Sequence, residues 1–195
     1  MLRLFSSRAK RKKIAAAIYQ DCVKQARMPV FYDELQVPDT LDGRFAMICL
    51  HISLALDRLY RCAAPDDDLG QAAFDVMFAD MEANLREHGI GDLAVPRHMK
   101  RMMQRYNGVQ HACSQALRDG DDTRLRDVIE RNIYGTYTVD NVAAHVLDEM
   151  CDYVRRCEYA LIQQDDSAVE NGHIHFARPP VRPYGIDTTR TRYDG

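Results

Sequence analysis

Apolar residues recur along most of this chain at spacings of three and four, which places them on one face of a helix. Ile14, Ile18, Cys22, Val23 and Ala26 predict a first helix over residues 9–28, ended by Pro29. Residues 30–37 form a connector anchored by Phe31, Tyr32 and Leu35; a strand there would have no partner elsewhere in the chain. Phe45, Ile48, Cys49, Ile52, Leu56, Leu59 and Tyr60 set a long second helix. Phe74, Met77, Phe78, Met81 and Leu85 line a third, and Met99, Met102, Met103, Tyr106, Val109, Cys113 and Leu117 a fourth. A shorter fifth carries Leu125, Val128, Ile129 and Ile133. Val142, Val146, Met150, Val154, Cys157 and Leu161 mark a last helix over residues 138–163.

Polar and special residues punctuate these runs. Asp39 and Thr40 offer an N-cap to the second helix, residues 66–68 cap the third, and residues 119–122 turn into the fifth. Gly89 stops the third helix by adopting the left-handed conformation past its end. Gly91 and Asp92 then turn the chain, and Pro96 opens the fourth helix, where its missing N–H costs nothing. Gly43 is out of place so early in a helix, since glycine weakens one by about 1 kcal/mol relative to alanine; its presence predicts a close backbone approach. From Asp165 the period stops, and the Pro-, Gly-, Thr- and Arg-rich remainder reads as extended or disordered. The expectation is an all-α, single compact domain of about six helices over residues 14–164. A basic segment, 1–13, precedes it and a flexible tail, 165–195, follows. The third and fourth helices should pack at its centre.

Three blocks carry a family resemblance. Residues 80–102, D-M-E-A-N-L-R-E-H-G-I-G-D-L-A-V-P-R-H-M-K-R-M, resemble the signature of the ubiquinol–cytochrome c chaperone family. Residues 37–45, V-P-D-T-L-D-G-R-F, and residues 131–135, R-N-I-Y-G, are similar to two further blocks of that family. The resemblance covers about residues 37–137. These proteins are assembly factors for respiratory complex III, with bacterial and mitochondrial members. The resemblance implies a non-enzymatic chaperone that binds newly made cytochrome b. It also implies a small partner subunit and attachment near the ribosomal exit tunnel. The setting it implies is the bacterial cytoplasm, peripheral at the inner membrane, or the matrix side of the mitochondrial inner membrane. Partner-binding candidates are the matched residues that core packing does not demand: Asp39, Asp42, Gly43 and Arg44 in one block, and Gly91, Asp92, Pro96, Arg97 and Lys100 in the other. Each also has a plain local role, as cap, turn, helix start or solvated charge. The two groups are expected to lie side by side as one docking face.

Composition narrows the alternatives. Apolar residues make up 46% and charged residues 28%, ordinary for a globular domain. The net charge of −3 weighs against DNA binding. No apolar run approaches the roughly 18 residues of a spanning helix. Six cysteines form no C-x-x-C pair, so neither a zinc ribbon nor a thioredoxin-like site is indicated, and they read as reduced core residues. There is no G-x-S-x-G, no phosphate loop and no H-E-x-x-H, so no catalysis, cofactor or metal is expected. The alternative is a helical haem- or metal-binding protein using His51, His111, methionines and cysteines, though it lacks C-x-x-C-H. His51 itself reads as a hydrogen-bonded core histidine, and His173 and His175 sit in the tail.

Three features keep two readings each. Arg97, Arg101 and Arg105 share one side of the fourth helix, either solvated or facing an acidic partner or RNA phosphate. Met77, Met81, Met99, Met102 and Met103 flank one turn, either as core or as an adaptable surface for a client. Arg3, Arg8, Lys10, Arg11, Lys12 and Lys13 precede any acidic residue, with no apolar h-region, so they form no secretory signal. The stretch looks like a very short transit peptide. It is either a solvated helix start or a contact with an anionic membrane surface, at about 1 kcal/mol per cation.

Overall fold

The computed structural model describes residues 2–62, 68–135 and 142–180. Its elements are α1 (Leu2–Ala26), α2 (Val30–Asp33), α3 (Leu41–Cys62), α4 (Leu69–Glu87), α5 (Val95–Asp119), α6 (Asp122–Ile129), a π turn (Glu130–Tyr134), α7 (Ala144–Ile162) and α8 (Asp166–Glu170). No strand occurs among the described residues. The six expected helices correspond to α1 and α3–α7; α2 and α8 are short additions.

The centre is α3, not the α4–α5 pair that the sequence suggested. Every residue from Phe45 to Leu56 is buried. The helix touches α1, α4, α5, α7, the π turn and α8. Beside its 3.6-residue stripe it carries Met47, Leu50, Leu54 and Ala55 on other faces, and a helix that is apolar all round belongs in the interior. Helix α4 packs chiefly on α1, while α5 packs on α3 and α6. Helices α4 and α5 meet through Phe74 and Tyr106, with ring centroids 5.1 Å apart.

Most of the punctuation acts as predicted. Thr40 caps α3, its hydroxyl accepting the Gly43 N–H at 3.1 Å. Asp39 instead accepts from the Arg44 guanidinium at 2.5 Å. Gly43 answers a close approach: a Cβ there would stand 2.0 Å from the Pro38 carbonyl oxygen. Gly89 and Gly120 take φ of +78° and +67° past the ends of α4 and α5. The Asp121 carboxylate caps α6, accepting from the Arg124 N–H at 2.9 Å. Pro96 lies in the first turn of α5. Asp68 does not cap α4; it pairs with Arg11. Gly91 is exposed, and a Cβ there would meet nothing, so no structural feature requires glycine at that position.

Two boundaries differ from the sequence reading. Residues 2–13 are the opening turns of α1, with Arg8, Lys10, Lys12 and Lys13 exposed. The last long helix starts at Ala144; residues 138–141, where an earlier start was expected, lie outside the described residues. The tail is more ordered at its start than its composition suggested. The Asp165 carboxylate accepts from the Ala168 N–H at 3.1 Å and caps α8. Gly172, at φ +89°, turns the chain against Ile14. Residues 173–180 then lie without regular structure on α1, α3 and α7. Ile174 is buried, and the Phe176 ring meets His51 edge-on at 5.0 Å. The Gln164 side chain holds the His175 backbone at two points: its Nε2–H donates to the carbonyl at 2.7 Å and its Oε1 accepts the N–H at 2.9 Å. Side chains thus supply the hydrogen bonds that a ladder would otherwise provide.

Candidate functional site

Two buried polar side chains, His51 and Arg58, are bonded to groups on other elements. His51, 0% exposed, sits one helical turn after Met47 on α3. Its Nδ1 lies 2.7 Å from the Met47 carbonyl and its Nε2 2.7 Å from the Tyr153 hydroxyl. A carbonyl can only accept, so the proton is assigned to Nδ1, and Nε2 accepts from Tyr153. The Tyr153 oxygen in turn accepts from Gln25 Nε2 at 2.9 Å, and the same nitrogen donates to the Ala177 carbonyl at 3.0 Å. This chain of bonds ties α1, α3, α7 and the C-terminal segment together. Burial lowers the His51 pKa to about 4, so the ring is neutral at neutral pH. The sequence anticipated a hydrogen-bonded core histidine and could not name its partners.

Arg58 is a second buried group, 6% exposed. It donates to the carbonyls of Leu161 and Gln164, each at 2.7 Å, and pairs with Asp166. It therefore satisfies orphan carbonyls at the end of α7 from another helix. Nothing in the spacing of α3 signals that role. The six cysteines are free thiols. Burial pushes Cys22 and Cys49 upward, Cys113 to about 12, and Cys151 and Cys157 to about 11, which suits inert core residues. Among the described residues no group of three His, Cys, Asp or Glu converges as metal ligands. His111 is exposed on α5, and both nitrogens of His51 are engaged.

The opposite end of α3 is open. Two adjoining hollows of about 180 and 240 Å³ run between the start of α3, the end of α4 and the start of α5. They share Leu41, Phe45, Leu85 and Met102, and Ile48 and Met81 extend this apolar floor. Leu41 is 55% exposed although it opens the central helix. Four arginines line the groove, Arg27, Arg44, Arg101 and Arg105, with His88 and His98. Asp42 is the one carboxylate among the lining residues. Arg44 is engaged with Asp39 and lies over the Tyr32 ring, 5.5 Å from its centroid. Arg105 stands 3.7 Å from Asp42, beyond hydrogen-bond range. The Arg101 guanidinium lies 2.7 Å from His98 Nδ1.

Of the residues singled out from sequence, Asp42 and Arg44 line this groove, and Asp39 and Gly43 shape its α3 edge. Asp92 pairs with Arg86 at 3.2 Å. Gly91, Pro96, Arg97 and Lys100 are exposed on the loop and first turns of α5 and are not among the lining residues. The methionines divide: Met77, Met81 and Met99 are core, Met81 also reaching the groove, while Met102 and Met103 are partly buried and Met102 lines the groove floor. The sequence reading missed Arg27, at the end of α1, and Leu41. The latter continues the apolar stripe of α3 one turn before Phe45, yet it is exposed.

A model of the family described as ubiquinol-cytochrome C chaperone matches residues 33–176. The chain belongs to the ubiquinol–cytochrome c chaperone family. It is also similar to a solved structure, that of the Cbp3 homologue from Brucella abortus. The two share 33% sequence identity, with a TM-score of 0.76 over 91% of this chain and 96% of that one. No curated protein sequence matches. Membership implies a role in assembling complex III and a client protein as partner, without catalysis. The structure brings two of the three blocks together. The first two meet in the groove, through Leu41 and Phe45 on one side and Leu85, His88, His98 and Met102 on the other. The third is the π turn, whose Tyr134 hydroxyl donates to the Leu35 carbonyl at 2.8 Å. That bond holds the connector that leads into the first block.

Proposed function

We propose that this chain binds newly made cytochrome b and supports its assembly into ubiquinol–cytochrome c reductase. Cytochrome b is a bundle of apolar membrane helices, which expose aggregation-prone surface before they pack. A helical domain can shield one such segment without nucleotide or catalytic residues. The observation that carries the reading is the open apolar floor at the start of α3, built from two of the family blocks. It combines the flexible side chains of Met81 and Met102 with the rigid Phe45. No described helix is long and apolar enough to cross a membrane. The proposed place of work is a membrane surface, a reading supported by the cations Arg8, Lys10, Lys12 and Lys13 at the exposed opening of α1.

Capture of the tagged protein from its native cell should enrich cytochrome b, and deletion of its gene should lower assembled complex III. Leu41→Asp and Arg44→Glu should reduce both readouts while circular dichroism stays unchanged; Lys100→Glu tests whether the working face extends along α5. Unchanged complex III in the deletion strain would end the chaperone reading. Unchanged capture by Leu41→Asp would move the client away from the groove.

A further inference from the structure

The groove concentrates positive charge on a protein whose net charge is −3. Four arginines surround the apolar floor against one carboxylate, Asp42. Among the described residues Arg27 and Arg101 have no carboxylate partner. Intramolecular pairing therefore leaves part of this charge unspent, at a place where apolar side chains lower the local dielectric and strengthen it. The walls are helices, so they present no strand edge to which an extended segment could add. An incoming segment has to satisfy its own backbone, which a helix does.

We propose that the groove docks an amphipathic helix of a partner protein, its apolar stripe on Leu41, Phe45 and Met102 and carboxylates on its flanks facing Arg27 and Arg101. This rests on the reading of the groove as the client surface and adds the chemistry of the segment that enters it. The apolar stripe supplies contact area, and the flanking charges set orientation and exclude cationic segments.

The test is a charge swap with two synthetic amphipathic peptides of about 18 residues, sharing one Leu/Phe stripe and carrying either Glu or Lys on the flanks. By fluorescence anisotropy at low salt the full chain should bind the Glu peptide at least about tenfold more tightly than the Lys peptide, and added KCl should narrow the gap. Arg27→Glu/Arg101→Glu should reverse the preference, and Leu41→Asp should weaken both peptides. Circular dichroism of each variant confirms the fold. Equal binding of the two peptides, binding of neither, or a preference that survives the double variant each overturns the proposal. So does binding of phosphatidylglycerol vesicles, lost in the same variant, in place of peptide. Cytochrome b capture is read separately on the wild-type chain. Failed discrimination with cytochrome b still captured sinks the groove assignment alone; discrimination without cytochrome b capture sinks the client and keeps the groove.

Discussion

At its middle, α3 is sealed: His51 is bonded on both nitrogens, and the rings of Phe31, Tyr153 and Phe176 close around it. Ten residues earlier, about 15 Å along the axis, the same helix opens at Leu41 into a groove lined with arginines. Both regions mix apolar and polar groups, but they settle the polar ones differently. Around His51 every bond is internal: one stays within α3, and the others run on to join α7, α1 and the C-terminal segment. Around Leu41 the charges are half-exposed or exposed and only partly paired. Water satisfies them cheaply, and a partner can replace that water. The first arrangement specifies one packing; the second keeps capacity for something outside the chain.

The largest break in this contrast should come from Tyr153→Ala, which removes a buried ring and leaves His51 Nε2 and Gln25 without their shared partner. A loss of about 3–5 kcal/mol in urea unfolding is expected, against almost none for Leu41→Asp. Next comes pH. The folded His51 pKa, about 4, lies below the unfolded value near 6.5, so the unfolded chain binds the extra proton between them. Its contribution is complete above pH 6.5 and is lost as pH falls toward 4, for about 3 kcal/mol at most. The slope of unfolding free energy against pH over that window should flatten in His51→Gln, which separates this effect from the carboxylates that titrate alongside.

A smaller effect sharpens the boundary between the two regions. Gly43→Ala would place a Cβ 2.0 Å from the Pro38 oxygen, so the turn before α3 must shift. About 1–3 kcal/mol should be lost, with displaced Leu41 and Arg44 resonances in NMR spectra. Smallest in stability is Arg101→Glu, expected within about 0.5 kcal/mol of wild type, although it sits where binding should suffer most. A destabilised Arg101→Glu would mean that the groove charge holds the fold together and is not held in reserve.

Local features were legible because their causes are local. Thr40, Asp121, Gly89 and Gly120 act within a turn of where they stand, and apolar period reports which face of each helix is covered. Gly43 was legible as an anomaly, since glycine early in a helix has a cost that something must offset, but the Pro38 carbonyl could not be named. The groove was half legible. Asp42 and Arg44 stood out as polar residues with no packing duty. Arg27 and Arg101 are separated by 74 positions in sequence, and no spacing rule relates them. The tail misled in its first part: its composition resembles disorder, yet Gln164 just after α7 and Gln25 on the distant α1 hold its backbone.

The sequence by itself determined the helical class, most caps and stops, and the family, all of which depend on residue type and short-range spacing. Tertiary structure alone decided that α3 is central, that Met77, Met81 and Met99 are core while Met102 lies half-buried on the groove floor, and that arginines from the end of α1, from α3 and from α5 gather there. Periodicity tells a helix which of its faces must be covered. Which neighbour covers it, and where that cover runs out, depends on how all the helices cross.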